Sequence, residues 1–257
     1  MGILDSIQGT GRKVVPADEA IHAFLLIGQS NMAGRGQIDP AHLLMDDRCV
    51  MLRMGRWQQM VEPINVDRCV FPGHGPQSGA NLATTFAIRC AETQNVRVGL
   101  IPCADGGTRL SQWMPGEALF EHAVFQTRLA CRTAVLSGIL WHQGESDYGP
   151  ELDLDAYKRD LVAMMHALRH QVGDVPIVLG ELGYAEQGFR PAMKPHIDRF
   201  NAALPDMARS IGRCAVASAE GLPCRGDELH FSTEALRTFG RRYWDVFANL
   251  VESSRQA

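Results

Sequence analysis

Five short apolar runs punctuate the chain: His22–Ile27, Val96–Ile101, Leu136–Trp141, Pro176–Leu179 and Arg213–Ala217. Each is continuous rather than alternating, the pattern of strands buried on both faces of a parallel sheet. Helix-length stretches separate them. Leu154, Tyr157, Leu161, Met164, Met165 and Leu168 follow the 3, 4, 7 spacing of one helical face. Gly79–Thr93 and Glu117–Ala134 are rich in helix formers, and Met193, Ile197, Phe200, Leu204 and Met207 give a further face interrupted by Pro195 and Pro205. A last helix is expected to start at Ser232, which can cap it, with Glu234 in its first turn. The order βαβαβαβαβα predicts an α/β fold: a three-layer α/β/α sandwich around a five-stranded parallel sheet. Residues 1–20 read as an N-terminal extension. The Pro/Gly-marked stretch Gln37–Gln77 reads as an irregular wall or lid of an active site.

Composition narrows the function classes. Forty-six per cent of the 257 residues are hydrophobic, with no repeat, linker or low-complexity tract, so residues 1–257 are expected to form one domain. With 25 Lys+Arg against 29 Asp+Glu, the net charge of −4 argues against a nucleic-acid partner. Neither a secretory leader nor a membrane-length apolar run is visible, and Gly2 with Ser6 meets a myristoylation pattern without a polybasic second signal. The expectation is a soluble, cytoplasmic protein with no membrane partner. Seven cysteines without a CxxC pair suit free thiols in a reducing compartment; on export, Cys214 and Cys224 are near enough in sequence to pair.

In an open parallel sheet the loops that follow the strands gather at one edge, where ligands bind. The loop after the first run, Gly28-Gln-Ser-Asn-Met-Ala-Gly34, offers Ser30, whose hydroxyl and own backbone N–H can both face a ligand. The pattern is not the GxSxG elbow of the α/β-hydrolases. A serine hydroxyl needs a base, and the base needs an orienting carboxylate; Asp227 and His230, three apart in the last loop, supply both. Gly106 and Gly107 can bring backbone N–H groups close to a substrate, and Gln143 offers a side-chain amide, so an oxyanion hole can be assembled from Ser30, Gly106 or Gly107, and Gln143.

Other residues invite chemistry and have plainer readings. Glu145 and Asp147 could act as a glycosidase pair, but bracing the Ser30 loop or contacting Arg35 fits better. His166 and His170 lack the Glu of a zinc HExxH helix. Trp57 and Trp113 could stack on a sugar or pack in the core, and Cys103 reads as a small buried hydrophobe. Gly34-Arg-Gly36 is not a phosphate loop. No metal or cofactor is expected.

These blocks resemble the SGNH (GDSL-like) hydrolase superfamily, and within it the carbohydrate esterase family 6 and sialate O-acetylesterase-like branch. There the first block reads GQSNM-G, the second P-A-GG-T, the third W-QGE-D and the last D-x-x-H. They are matched by Gly28–Gly34, Pro102–Thr108, Trp141 to Asp147, and Asp227 with His230. The resemblance implies a flavodoxin-like fold and hydrolysis of acetyl esters on carbohydrate or oligosaccharide substrates. It implies Ser30 as nucleophile, His230 as base and Asp227 as its orienter, with Ser30, Gly106 or Gly107, and Gln143 as oxyanion donors. Gln29, Asn31, Asp105 and Glu145 would support the site or contact substrate. Glutamine at 143, where the wider superfamily has asparagine, follows this branch. Asp105 departs from the small or apolar residue expected before the two glycines, so a carboxylate there can repel a charged substrate or bond a sugar hydroxyl. The rivals are a short-chain lipase or thioesterase of the same superfamily and a flavodoxin-like binding module without catalysis.

Overall fold

Alternate residues of the first apolar run enter different layers, which is why the run is apolar throughout. In strand β1 (Ile21–Gly28), Ile21, Ala23, Leu25 and Ile27 join one buried cluster, and Phe24 and Leu26 join another. A computed structural model describes residues 20–41, 43–65 and 78–256. Of the expected N-terminal extension, residues 1–19 lie outside the described residues, as do residues 42 and 66–77 of the expected wall.

All five apolar runs form strands: β1, then β4 (Arg97–Pro102), β5 (Ala134–His142), β6 (Ile177–Gly180) and β7 (Cys214–Ala217), mutually parallel in the order β4-β1-β5-β6-β7. Taken in chain order this is 2-1-3-4-5, the flavodoxin-like arrangement. Two further strands correct the five-stranded expectation. β2 (Cys49–Arg53) adds in parallel to β4, and β3 (Arg56–Gln59) turns back antiparallel on β2, giving seven strands. They occupy part of the stretch read as irregular. Their hairpin turns on Met54 and Gly55, both at positive φ (50° and 74°). Such a turn usually announces itself as Asn-Gly or Asp-Gly, and methionine in the first place conceals it.

The helices are α1 (Ser30–Ala33), α2 (Leu82–Gln94), α3 (Ala118–Ala130), α4 (Leu154–Val172), α5 (Lys194–Ile211) and α6 (Thr233–Gln256). Buried residues of α3, α4 and α5 fill the layer beneath Ile21, Leu25 and Ile27. Those of α2 and α6 fill the other, where Phe24, Phe86 and Phe247 meet edge to face with centroids 4.8–6.0 Å apart. Local signals set the helix starts. Asn81 caps α2 through Ala83 N, Asp153 caps α4 through Asp155 N and Ala156 N, and Ser232 Oγ accepts from Ala235 N at 3.2 Å. Pro195 sits in the first turn of α5, where its missing N–H costs nothing; Pro205 lies inside that helix.

Candidate active site

The sheet reverses its winding at β1, between β4 and β5, and that crevice collects the predicted loops. β1 ends at Gly28, whose φ is +123° and whose place a Cβ could not share, since it would lie 2.1 Å from His142 O. The chain turns there, Gln29 N donates to His142 O at 2.9 Å, and Ser30 opens α1 with 5% of its surface exposed. From β4, Asp105 N donates to Gly28 O at 2.9 Å and lays the double glycine alongside. A Cβ on Gly106 would stand 2.5 Å from Arg35 Nη2 and 3.7 Å from Ser30 Cβ, so Gly106 is packed against both. Gly107, with φ +75°, has no neighbouring heavy atom within 4 Å of that position. None of the described residues accepts from the backbone N–H of Ser30, Gly106 or Gly107.

The loop after β7 carries the other partners. Ser30 Oγ lies 3.0 Å from His230 Nε2, and His230 Nδ1 lies 2.7 Å from Asp227 Oδ2. Facing a carboxylate, Nδ1 carries the proton and donates, which leaves Nε2 as the acceptor for the serine hydroxyl. Asp227 also shapes its own loop, Oδ1 accepting from Leu229 N at 3.0 Å and His230 N at 2.8 Å. Arg225 completes the clamp. Its Nε donates to Asp227 Oδ2 at 2.6 Å, its Nη1 to Arg35 O at 2.6 Å, and its backbone N to His230 O at 2.8 Å. Burial works against an ionised Asp227, yet these donors, His230 first, hold its carboxyl well below the usual range. For His230, burial lowers the pKa below its ordinary value; Asp227 opposes this, and the cations Arg225 and Arg35 reinforce it.

Beneath Ser30 lies a buried polar network. Gln29 Oε1 accepts from Ser146 N at 3.3 Å and Gln143 Nε2 at 3.2 Å, joining the first and third loops. Asn31 Nδ2 donates to Glu145 Oε1 at 2.6 Å and Leu229 O at 3.2 Å, and Asn31 Oδ1 accepts from Phe231 N at 3.2 Å. Glu145 Oε1 also accepts from His142 Nε2 at 3.0 Å. Glu145 therefore braces the Ser30 loop, through Asn31. Gln143 holds loops together: its Nε2 reaches Asp147 Oδ2 at 2.5 Å and Thr108 O at 3.0 Å, while its Oε1 accepts from Tyr157 OH at 2.7 Å. Asp147 Oδ2 also accepts from Leu110 N at 2.9 Å, which makes it a structural acceptor between these loops. Asp105, half-buried beside the glycines, accepts from Thr108 Oγ1 through its carbonyl.

The remaining candidates lie away from the Ser30–His230 pair or in plain structural contacts. Trp57 and Trp113 are buried, donating to Thr133 Oγ1 and Thr108 Oγ1. Burial pushes the Cys103 thiol far up, away from reactivity. His166 bonds Ile211 O, and the described residues contain no cluster of three or more His, Cys, Asp or Glu able to hold a metal. Six cysteines are free, Cys214 and Cys224 among them; Cys69 lies outside the described residues. No described helix is long and apolar enough to cross a membrane. Arg225 and His142 escaped sequence reasoning. An arginine in a polar loop carries no distinguishing signal, and His142 read as the first residue of the loop after the third apolar run, whereas it ends β5.

Comparison with known proteins identifies the family. The family model for carbohydrate esterases, sialic acid-specific acetylesterase, matches residues 20–249. A probable carbohydrate esterase of Arabidopsis thaliana is 30% identical over 229 residues, covering 82% of this chain and 84% of that protein. A solved Arabidopsis thaliana structure superposes with a TM-score of 0.74 at 26% identity, over 90% of this chain and 98% of the other. NanS gives a TM-score of 0.73 at 16% identity, covering 95% and 100%, a likeness of fold. With most of its length matched, this chain belongs to the carbohydrate esterase family of sialic acid-specific acetylesterases.

Proposed function

We propose that the protein removes O-acetyl groups from sugars through a serine-bound acetyl intermediate. Ser30 Oγ attacks the acetyl carbonyl carbon as His230 Nε2 takes the hydroxyl proton. Asp227 holds the ring in the tautomer that leaves Nε2 free, and stabilises the imidazolium that forms. The carbonyl oxygen gains negative charge and receives the N–H groups of Ser30 and Gly106, each such donor contributing about 3–4 kcal/mol to the transition state. Gln143 joins them on a condition its contacts impose. Two hydrogens serve three acceptors, and the substrate oxygen must win the shared one from Gln29 or Thr108. Collapse expels the sugar alkoxide, which takes the proton from His230. Water, deprotonated by the same nitrogen, then releases acetate and regenerates Ser30.

The observation that carries this reading is the unbroken Asp227–His230–Ser30 hydrogen-bond chain of 2.7 and 3.0 Å, beside N–H groups with no described partner. Family membership supports acetyl esters of carbohydrates as substrates, with sialic-acid esters first among them. The test is acetate release across O-acetylated sialic acids, acetylated xylo-oligosaccharides and p-nitrophenyl esters of increasing chain length. Turnover confined to acetyl and carried by a sugar is the expected result. A preference for long acyl chains favours the lipase or thioesterase alternative, and binding without turnover rejects the enzyme.

The pH profile is a separate expectation. His230 must be neutral to accept the proton, so activity rises with pH through its pKa. Burial, Arg225 and Arg35 lower that pKa, so the midpoint of the acid limb in kcat/KM should fall below the ordinary imidazole value of about 6.5. A midpoint above about 7 contradicts this.

A further inference from the structure

We propose that Asn31, its amide held by the buried Glu145 and by the backbone on either side of His230, is a positioning residue that sets the distance between Ser30 and His230. The proposal rests on the reading of Ser30 and His230 as the catalytic pair. Asn31 follows Ser30 in the chain, and its oxygen and nitrogen grip Phe231 N and Leu229 O, the backbone on either side of His230. One planar amide thus spans two loops about 200 residues apart in sequence. The base loop needs such a hold. Between β7 and α6 its only ladder contact among the described residues is the Cys224–Phe231 bridge, and Arg225 to Glu228 are exposed.

An amide can be turned end for end, and the turned Asn31 would still fit the space. It would then point its oxygen at Leu229 O and at Glu145 Oε1, and its NH₂ at the Phe231 N–H. Leu229 O and Phe231 N–H already reject the turned amide, and Glu145 adds a third contact that does so, because an ionised carboxylate accepts hydrogen bonds and never donates. His142 Nε2, at the end of β5, reaches the same carboxylate oxygen at 3.0 Å and helps to fix it. Full burial opposes charge on Glu145, yet His142 and the Asn31 bond hold its carboxyl below the ordinary value. The second carboxylate oxygen, Glu145 Oε2, is buried and has no hydrogen-bond partner among the described residues.

Asn31→Asp tests the assignment in the whole protein, since it keeps the shape and turns the donor into an acceptor facing Glu145 and Leu229 O. We expect kcat to fall about 100-fold, the loss typical of a misplacement near 1 Å, with KM within about threefold. Labelling of Ser30 by a fluorophosphonate should slow in proportion. Adding Glu145→Gln restores a donor opposite the introduced carboxylate, and the double variant should recover at least about tenfold in kcat over Asn31→Asp. A folded Asn31→Asp protein with kcat within about threefold of wild type, or a double variant no faster than Asn31→Asp, overturns the proposal. Should Asn31→Asp fail to fold, Asn31→Ala must show the lost kcat at unchanged KM, and full activity in it overturns the proposal equally. Acetate release that survives Ser30→Ala sinks the reading of the catalytic pair instead, so the two failures are distinguishable.

Discussion

Replacing Ser30 by alanine is expected to lower acetate release by at least about 10⁴-fold, with the fold intact. The change removes one oxygen from a 5% exposed side chain whose only described polar contact is His230. The turn that presents it is held by other atoms: Gln29 N on His142 O, Gly34 N on Ser30 O, and the Asn31 side chain. Thermal unfolding should therefore move by only a few degrees while fluorophosphonate labelling disappears. The N–H donors survive the change, so KM for an acetyl ester should move far less than kcat. Freshly purified Ser30→Ala protein that retains more than about 1% of the wild-type rate, with contaminating esterase excluded, removes the covalent mechanism.

Asp227→Asn should cost about 10⁴-fold in kcat, for a reason set by proton placement rather than charge alone. Asp227 Oδ2 accepts two donors, His230 Nδ1 at 2.7 Å and Arg225 Nε at 2.6 Å. Oδ1 already receives Leu229 N and His230 N, so asparagine keeps its oxygen there and puts its NH₂ where Oδ2 was. An NH₂ facing Nδ1 makes that nitrogen the acceptor and sends the ring proton to Nε2, pointing at Ser30. The base is then blocked by its own hydrogen. Raising the pH does not relieve it, because the tautomer, and not the ionisation, is wrong. Rates measured from about pH 6 to about pH 9 should stay low throughout; recovery at high pH would mean that Asp227 acts only through its charge.

Much of this was legible before folding. The five apolar runs are strands because a strand covered on both faces has no place for polar alternation, and that signal survives without tertiary context. The helix starts at Asn81, Asp153 and Ser232 follow from side chains bonding their own backbone within three residues. The edge strand β3 was hidden because only Trp57 of its four residues is buried, and β2, covered on both faces, was hidden by the brevity of its run and by a turn without Asn-Gly. In the site, Ser30, Asp227 and His230 were identifiable by residue type and loop position. Arg225 was not, because its partners Asp227 and Arg35 O acquire meaning only once the loops meet.

The amino-acid sequence by itself determined the order of the five central strands and the long helices, a sheet covered on both faces, and the set of groups available for acyl transfer. Each of these depends on local periodicity or on the chemistry of single side chains. Only the tertiary structure decided which glycine stands beside Ser30, that Gln143 is engaged with Asp147 and Thr108, and that Asn31 reaches both neighbours of His230. Those outcomes turn on distances of a few tenths of an ångström between segments up to about 200 residues apart in the chain, and no local preference encodes them.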